Sequence, residues 1–402
     1  MRIVEKEIFF EIQRGHHKHT MIAQLPVQLE AAEVGFRISN PLEQWNQIRS
    51  VLELVATGEG NLKKLHFLFF PEASLPVQFL DEALSIINDQ FRENTITIFG
   101  VEHACLSDYR QMLERWPEDN CEALDTVLHD INSGNINDVP VNWCVIAVKE
   151  STGRLRIFLE AKSHPFYGGE SLDPFHDLYR GKIFTLFRCR PTCFNFMILI
   201  CFDYIYRDLY GSNISTIIDH ADELFFATKQ HLDLLAVIEF NPKPEHPAYR
   251  DVVNGFYGEY LSDTPGVRDT VTLFINASGQ SYCEGLHGET HFGHSAVLMH
   301  KNHKINKLKQ SEFSCDDFGG LPVCRLRFCD QTRLFYFNLP LFHELDPRTS
   351  RIPLKLHSIF RPLEDSRWKC LEKEEWDCLP LEDENTTDSP TQLNTEENHD
   401  SK

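Results

Sequence analysis

Short continuous apolar runs alternate along the chain with stretches whose apolar residues recur every three or four positions. Residues 20–27 (TMIAQLPV) read as a first buried strand. Asn40 and Pro41 then open an amphipathic helix with Leu42, Trp45, Ile48, Val51, Leu52 and Val55 along one face. The run 65–70 (LHFLFF), closed by Pro71, has the length and continuity of a strand buried on both faces. A helix over about 77–91 and a strand over 96–100 complete a strand–helix–strand–helix–strand opening, which predicts a layered α/β domain. Residues 104–140 are polar and helical in character, and read as an insertion. Strands resume at 143–148 and 155–159, followed by apolar runs at 196–200, 234–240, 271–275 and 296–299. No repeat recurs at solenoid spacing, and no Gly/Pro/Ser linker falls before about residue 345. The organisation expected is one domain over 1–345, an extension over 346–379 and a tail over 380–402.

Charge narrows the partners. The net formal charge is −21, and residues 364–402 hold thirteen Asp/Glu against four Lys/Arg. Neither a basic nucleic-acid surface nor steering of anionic partners is expected from such a balance. The tail has too few apolar groups to offset the entropy of ordering, so disorder is expected there. The N-terminus (MRIVEKEIFFEIQRGHHKH) is charged throughout and lacks the apolar centre of a signal peptide. The longest apolar stretch, residues 194–202 (FNFMILICF), is about half of what a spanning helix needs. A cytoplasmic protein without membrane contact is expected. The twelve cysteines are scattered through a long chain, which favours reduced thiols over a disulfide framework.

Three segments each put a chemically useful side chain at the end of an apolar strand, where α/β sheets collect their sites. Glu72 follows LHFLFFP; Lys162 follows the strand at 155–159, with His164 and Glu170 beyond it; Cys201 ends the longest apolar run, with Asp203 two residues on. A thiol is a strong nucleophile that is mostly protonated at neutral pH. A carboxylate can take that proton and return it to a leaving amine. A lysine balances the carboxylate and donates to the oxyanion of a tetrahedral intermediate.

These segments resemble the nitrilase superfamily: Glu in a Phe-Pro-Glu context, Lys followed two residues later by His, and Cys within an apolar-Cys-aromatic-Asp motif, in the family's order. The gaps are 90 and 39 residues, the first lengthened by the stretch at 104–140. KSHPFYGGE is similar to the pattern of the family's apolipoprotein N-acyltransferase branch, which places Glu170 near the site. VTLFINASGQS resembles a late strand whose final Asn, here Asn276, lines the pocket, and HFGHSAVL resembles the strand after it. The resemblance covers about residues 20–310. One departure concerns substrate alignment: CFDYIYRDLY displaces Arg207 from the family's Arg position and lacks the following Pro-Glu.

The resemblance implies a four-layer αββα sandwich, a homodimer or larger assembly, and no cofactor. It implies hydrolysis of a non-peptide C–N bond in a small amide or carbamoyl compound. Glu72 would be the general base, Lys162 the oxyanion stabiliser and Cys201 the nucleophile, with the backbone N–H of Phe202 as second oxyanion donor and Asp203 orienting the turn behind Cys201. Simpler readings exist for each residue alone. Cys201 would be a small buried hydrophobe, Glu72 a charge at a helix start, and Lys162 a surface cation. A lone core cysteine needs no explanation, but neither of the other two readings explains why both Glu72 and Lys162 end apolar strands. Cys283, His287, His291 and His294 have spacings a zinc ion accepts, but their glycine-rich setting reads better as a loop at the pocket edge. Two rivals follow: a weakened nitrilase-fold module that serves as partner or sensor, and an acyltransferase that gives the acyl group to an amine or thiol.

Overall fold

The computed structural model describes residues 1–11, 18–133, 139–165, 178–209, 211–228, 230–260, 264–267, 269–286, 289–300, 308–317, 323–339, 355–364, 367–376 and 379–380. Two sheets dominate them. The first runs in the order Arg2–Phe10, Ile183–Pro191, Asn195–Ile200, Leu234–Glu239, Val271–Asn276, Ala296–His300, Val323–Phe328, Phe313–Asp317, Leu308–Lys309, Leu379–Pro380. The second runs Trp368–Cys370, Lys355–Pro362, Arg333–Leu339, Lys18–Gln24, Leu65–Phe69, Thr95–Cys105, Pro140–Lys149, Leu155–Ala161.

Strand periodicity explains how they stack. Successive side chains point to opposite faces, so in Asn195–Ile200 the residues Phe196, Ile198 and Ile200 join one core while Met197 and Leu199 join another. Likewise Phe67 and Phe69 point into the core shared with the first sheet, and Leu68 and Phe70 point away from it. That shared core, with Phe67 edge-on to Phe196 at 5.5 Å, lies between the sheets. Each such fully buried aromatic contributes about 1.5–3 kcal/mol. Outside the second sheet pack the helices Pro41–Thr57, Leu80–Gln90, Leu106–Arg115 and Pro117–Asn132, through residues such as Trp45, Ile87, Tyr109 and Val127. Outside the first sheet pack Asn213–Phe225 and Pro247–Gly255, through Ile217, Ala221 and Val253. The four layers are αββα, as the resemblance implied.

Local chemistry sets the helix ends. In Pro41–Thr57 the Asn40 side chain accepts from the Glu43 amide, Pro41 starts the first turn, and Gly58 closes the helix at φ 60°. Leu42, placed on the apolar face by its spacing, is 60% exposed, and Gln44 is buried instead. Residues 104–140 form the two helices at Leu106–Arg115 and Pro117–Asn132, which extend the outer layer over the second sheet. The boundary expected near 345 falls at 340–354, outside the described residues. On its far side Lys355–Pro362 pairs with Arg333–Leu339, so the second sheet continues into the expected extension. The tail beyond 380 lies outside the described residues.

A third, small sheet joins Tyr282–Cys283 to Gln28–Ala31 and Phe36–Ile38. Its apolar residues Leu29, Phe36, Ile38 and Cys283 form a separate cluster with Ala73 and Phe292. This sheet covers the strand ends where the predicted site residues lie.

Candidate active site

Glu72 follows the Leu65–Phe69 strand in a sharp turn, and Ala73 after it takes a left-handed conformation at φ 52°. Gly100 on the neighbouring strand makes that turn possible. A Cβ there would run into the Cα of Glu72 and the carbonyl of Pro71, and the Gly100 carbonyl receives the Ser74 and Leu75 amides at 2.9 Å each. Gly100→Ala should therefore cost about 1–3 kcal/mol or more from overpacking. It should also lower turnover by displacing Glu72. A melting temperature and activity both equal to wild type would show that the turn relaxes freely.

The Glu72 carboxylate is 2% exposed and uses both oxygens. Oε1 accepts from Lys162 Nζ and Asn142 Nδ2, each at 2.8 Å, and Oε2 accepts from the Phe240 amide at 2.7 Å. Lys162 follows the Leu155–Ala161 strand and is 1% exposed, so the ion pair is fully buried. Cys201 comes from the other sheet. It ends Asn195–Ile200 at φ 46° and starts the short turn Cys201–Tyr204, an elbow of the sort that stores about 1–3 kcal/mol of backbone strain. Its Sγ lies 3.5 Å from the Tyr249 hydroxyl. Burial, and then the negative charge of Glu72, push the thiol well above its usual range, with Lys162 opposing. The thiol is thus protonated at rest, and a sulfur nucleophile requires a base to take the proton during attack.

Glu72, Lys162, Cys201, Asn142 and Tyr249 line one cavity, partly open to solvent. Leu29, Phe36 and Leu286 supply an apolar wall, and Cys283 belongs to it as well. Among the described residues no group of three His, Cys, Asp or Glu is placed to hold a metal ion. Of the histidines weighed for zinc, His291 is exposed beside Glu289, His294 faces the Phe328 carbonyl, and His287 lies outside the described residues.

The supporting residues divide. Asp203 accepts from the Ser163 amide at 3.0 Å, the Ser163 hydroxyl at 2.7 Å and the His164 amide at 2.9 Å. It thereby ties the turn after Lys162 to the turn after Cys201. Burial raises its pKa to about 7 against the pull of those donors. His164 points away from the cavity lining: it bonds Ser163 Oγ at 2.8 Å and stacks on Tyr206, and burial pushes its pKa down to about 4. Asn276 is fully buried one step behind the wall rather than on it. Its side chain accepts from the Asn241 amide and donates to the Asn241 and Gly293 carbonyls, holding Asn241 at the cavity. The Phe202 carbonyl receives the amides of Ile205 and Tyr206, which closes the turn at Cys201. Glu170 lies outside the described residues. Sequence reasoning missed Asn142, Glu239 and Tyr249. The first two had a signal, a polar residue in or at the end of a mostly apolar run.

No family model matches the chain, and no curated protein matches its sequence. Its structure is similar to those of solved nitrilase-superfamily proteins and related hydrolases. One is an amidase from Nesterenkonia sp., 12% identical with a TM-score of 0.40, covering 80% of this chain and 94% of that one. Another is Saccharomyces cerevisiae Nit3, a member of branch 10 of the nitrilase superfamily, at 12% identity and a TM-score of 0.39, covering 78% and 91%. A carbon-nitrogen hydrolase from Helicobacter pylori is 10% identical with a TM-score of 0.41, covering 82% and 91%.

Proposed function

We propose that the chain is a carbon–nitrogen hydrolase of the nitrilase superfamily acting on a small amide or carbamoyl compound. One observation carries this reading: a buried Glu72–Lys162 ion pair shares a cavity with Cys201 at a strained strand end. The substrate carbonyl oxygen faces Lys162 Nζ and the Phe202 amide. Glu72 takes the thiol proton as Cys201 sulfur attacks the carbonyl carbon, and the oxyanion of the tetrahedral intermediate is held by those two donors. Collapse breaks the C–N bond. Glu72 returns the proton to the leaving nitrogen, and a thioester stays on Cys201. Water then attacks the thioester, giving its proton to Glu72; the acid leaves and the thiol is restored. The raised thiol pKa fits this order, because the base acts on demand and no standing thiolate is needed.

A small substrate suits the narrow space beside Cys201, and its apolar wall suits an uncharged acyl part. The cytoplasmic homodimer implied by the resemblance belongs to the same reading. No helix among the described residues is long and apolar enough to cross a membrane. The test is an amide panel scored for released ammonia or amine, with intact-protein and peptide mass spectrometry for an acyl adduct on Cys201. Folded protein that gives neither product nor adduct across the panel would favour the partner-module reading instead.

A further inference from the structure

The cavity has a wall that its proposed chemistry does not use. Tyr249, on Pro247–Gly255, stands between the cavity holding Cys201 and a second, partly open one on its other side. Tyr249 lines both, and Glu239, at the end of Leu234–Glu239, lines the second. The hydroxyl is within hydrogen-bond reach of Cys201 Sγ. Burial and the neighbouring thiol raise the phenol pKa well above its usual value, so it keeps its proton. Glu239 is 1% exposed, and its Oε1 has no hydrogen-bond partner among the described residues. A carboxyl so placed is costly as an anion.

We infer that Tyr249 is a further catalytic residue, donating a hydrogen bond to the Cys201 sulfur as negative charge develops there, and that Glu239, on the far side of Tyr249, leaves that bond intact while it stays neutral and weakens it once ionised. This rests on the reading of Cys201 as nucleophile. A thiolate accepts and cannot donate, so only the phenol can supply the proton in that bond. Tyr249 keeps its own proton throughout, and the thiol proton still goes to Glu72. Burial, then Glu72, lifts the Glu239 pKa to about 8, with Asn241, Tyr249 and Lys162 pulling it down. Neutral below that pH, Glu239 does not compete for the phenol proton or add charge beside Glu72. Above it, the new carboxylate draws the Tyr249 proton away and repels a forming thiolate. The other groups facing the pair are Tyr204, and across the second cavity Glu245, Arg250, Arg325, Arg327 and His294.

The test is alkylation by iodoacetamide, itself a small amide, followed on the Cys201 peptide by mass spectrometry from pH 6 to 9.5. Wild type is compared with Glu72→Gln, Tyr249→Phe and Glu239→Gln, each checked for an unchanged circular dichroism spectrum. Tyr249→Phe should slow Cys201 labelling roughly tenfold at neutral pH, the worth of one hydrogen bond to a charged atom. Glu239→Gln should match wild type below about pH 7 and overtake it above pH 8, where wild-type Glu239 ionises. Equal rates in wild type and Tyr249→Phe, with Glu72→Gln still slow, overturn the role of Tyr249 alone. A wild-type Cys201 that stays unlabelled while the exposed Cys121 and Cys193 react overturns the nucleophile reading beneath it. If Tyr249→Phe does not fold, Glu239→Gln decides: a profile parallel to wild type across pH 8 overturns the inference.

Discussion

Replacing Cys201 with alanine should stop turnover outright, because no acyl-enzyme can form. The variant should still fold. Alanine is no freer than cysteine in the left-handed region, so the elbow at φ 46° stays as strained as before. The loss on the cavity wall is one sulfur. Glu72→Gln should fail in a graded way. The amide oxygen can still accept from Lys162 and Asn142, but the amide nitrogen meets the Phe240 N–H donor to donor and the group cannot take a proton, so the expected cost is about 10²–10⁴-fold or more in kcat. Both are read by ammonia release on a substrate found in the panel. Retained turnover in Cys201→Ala would falsify the proposed mechanism.

Lys162→Met should damage stability as well as rate. Both partners of its ion pair are almost wholly out of solvent, at 1% and 3% side-chain exposure, so water screens little of the interaction. Removing the cation leaves Glu72 charged and unpaired, which costs about 3–5 kcal/mol. The backbone around Lys162 should hold, since its amide donates to the Asn142 carbonyl and its carbonyl receives the Gly181 amide, each at 2.8 Å. The double variant Glu72→Gln/Lys162→Met removes both charges and should recover much of the lost stability without recovering activity. Thermal melts of the two variants settle it. A single variant as stable as wild type would mean that the pair is worth far less than its burial implies.

Legibility followed burial. Strands sealed on both faces, such as Leu65–Phe69 and Asn195–Ile200, show in the sequence as unbroken apolar runs, and Glu72, Lys162 and Cys201 could be located because they end such strands. The strand Arg2–Phe10 was missed because it lies at a sheet edge. Val4, Ile8 and Phe10 face inward while Glu5 and Glu7 pair with Arg188 and Arg190, so it reads as merely charged. Gln28–Ala31 and Phe36–Ile38 were missed for a different reason. They are three or four residues long, too short for a pattern to stand out; Phe36–Ile38 pairs with Gln28–Ala31, which in turn pairs with Tyr282–Cys283, about 250 residues away. Glu239 and Tyr249 were invisible as a pair, because their meeting beside Cys201 depends on how one helix sits on one strand end.

The ion pair is carried by one sheet and the sulfur by the other. Their separation is therefore a property of the filling between the sheets, of how thickly rings such as Phe67, Phe69, Phe187 and Phe196 hold the leaves apart. That filling acts as a shim. A methylene shaved from it, well away from the cavity, resets the gap between the Glu72 carboxylate and the Cys201 sulfur, so the proposed chemistry should be tunable from inside a core that never meets a substrate.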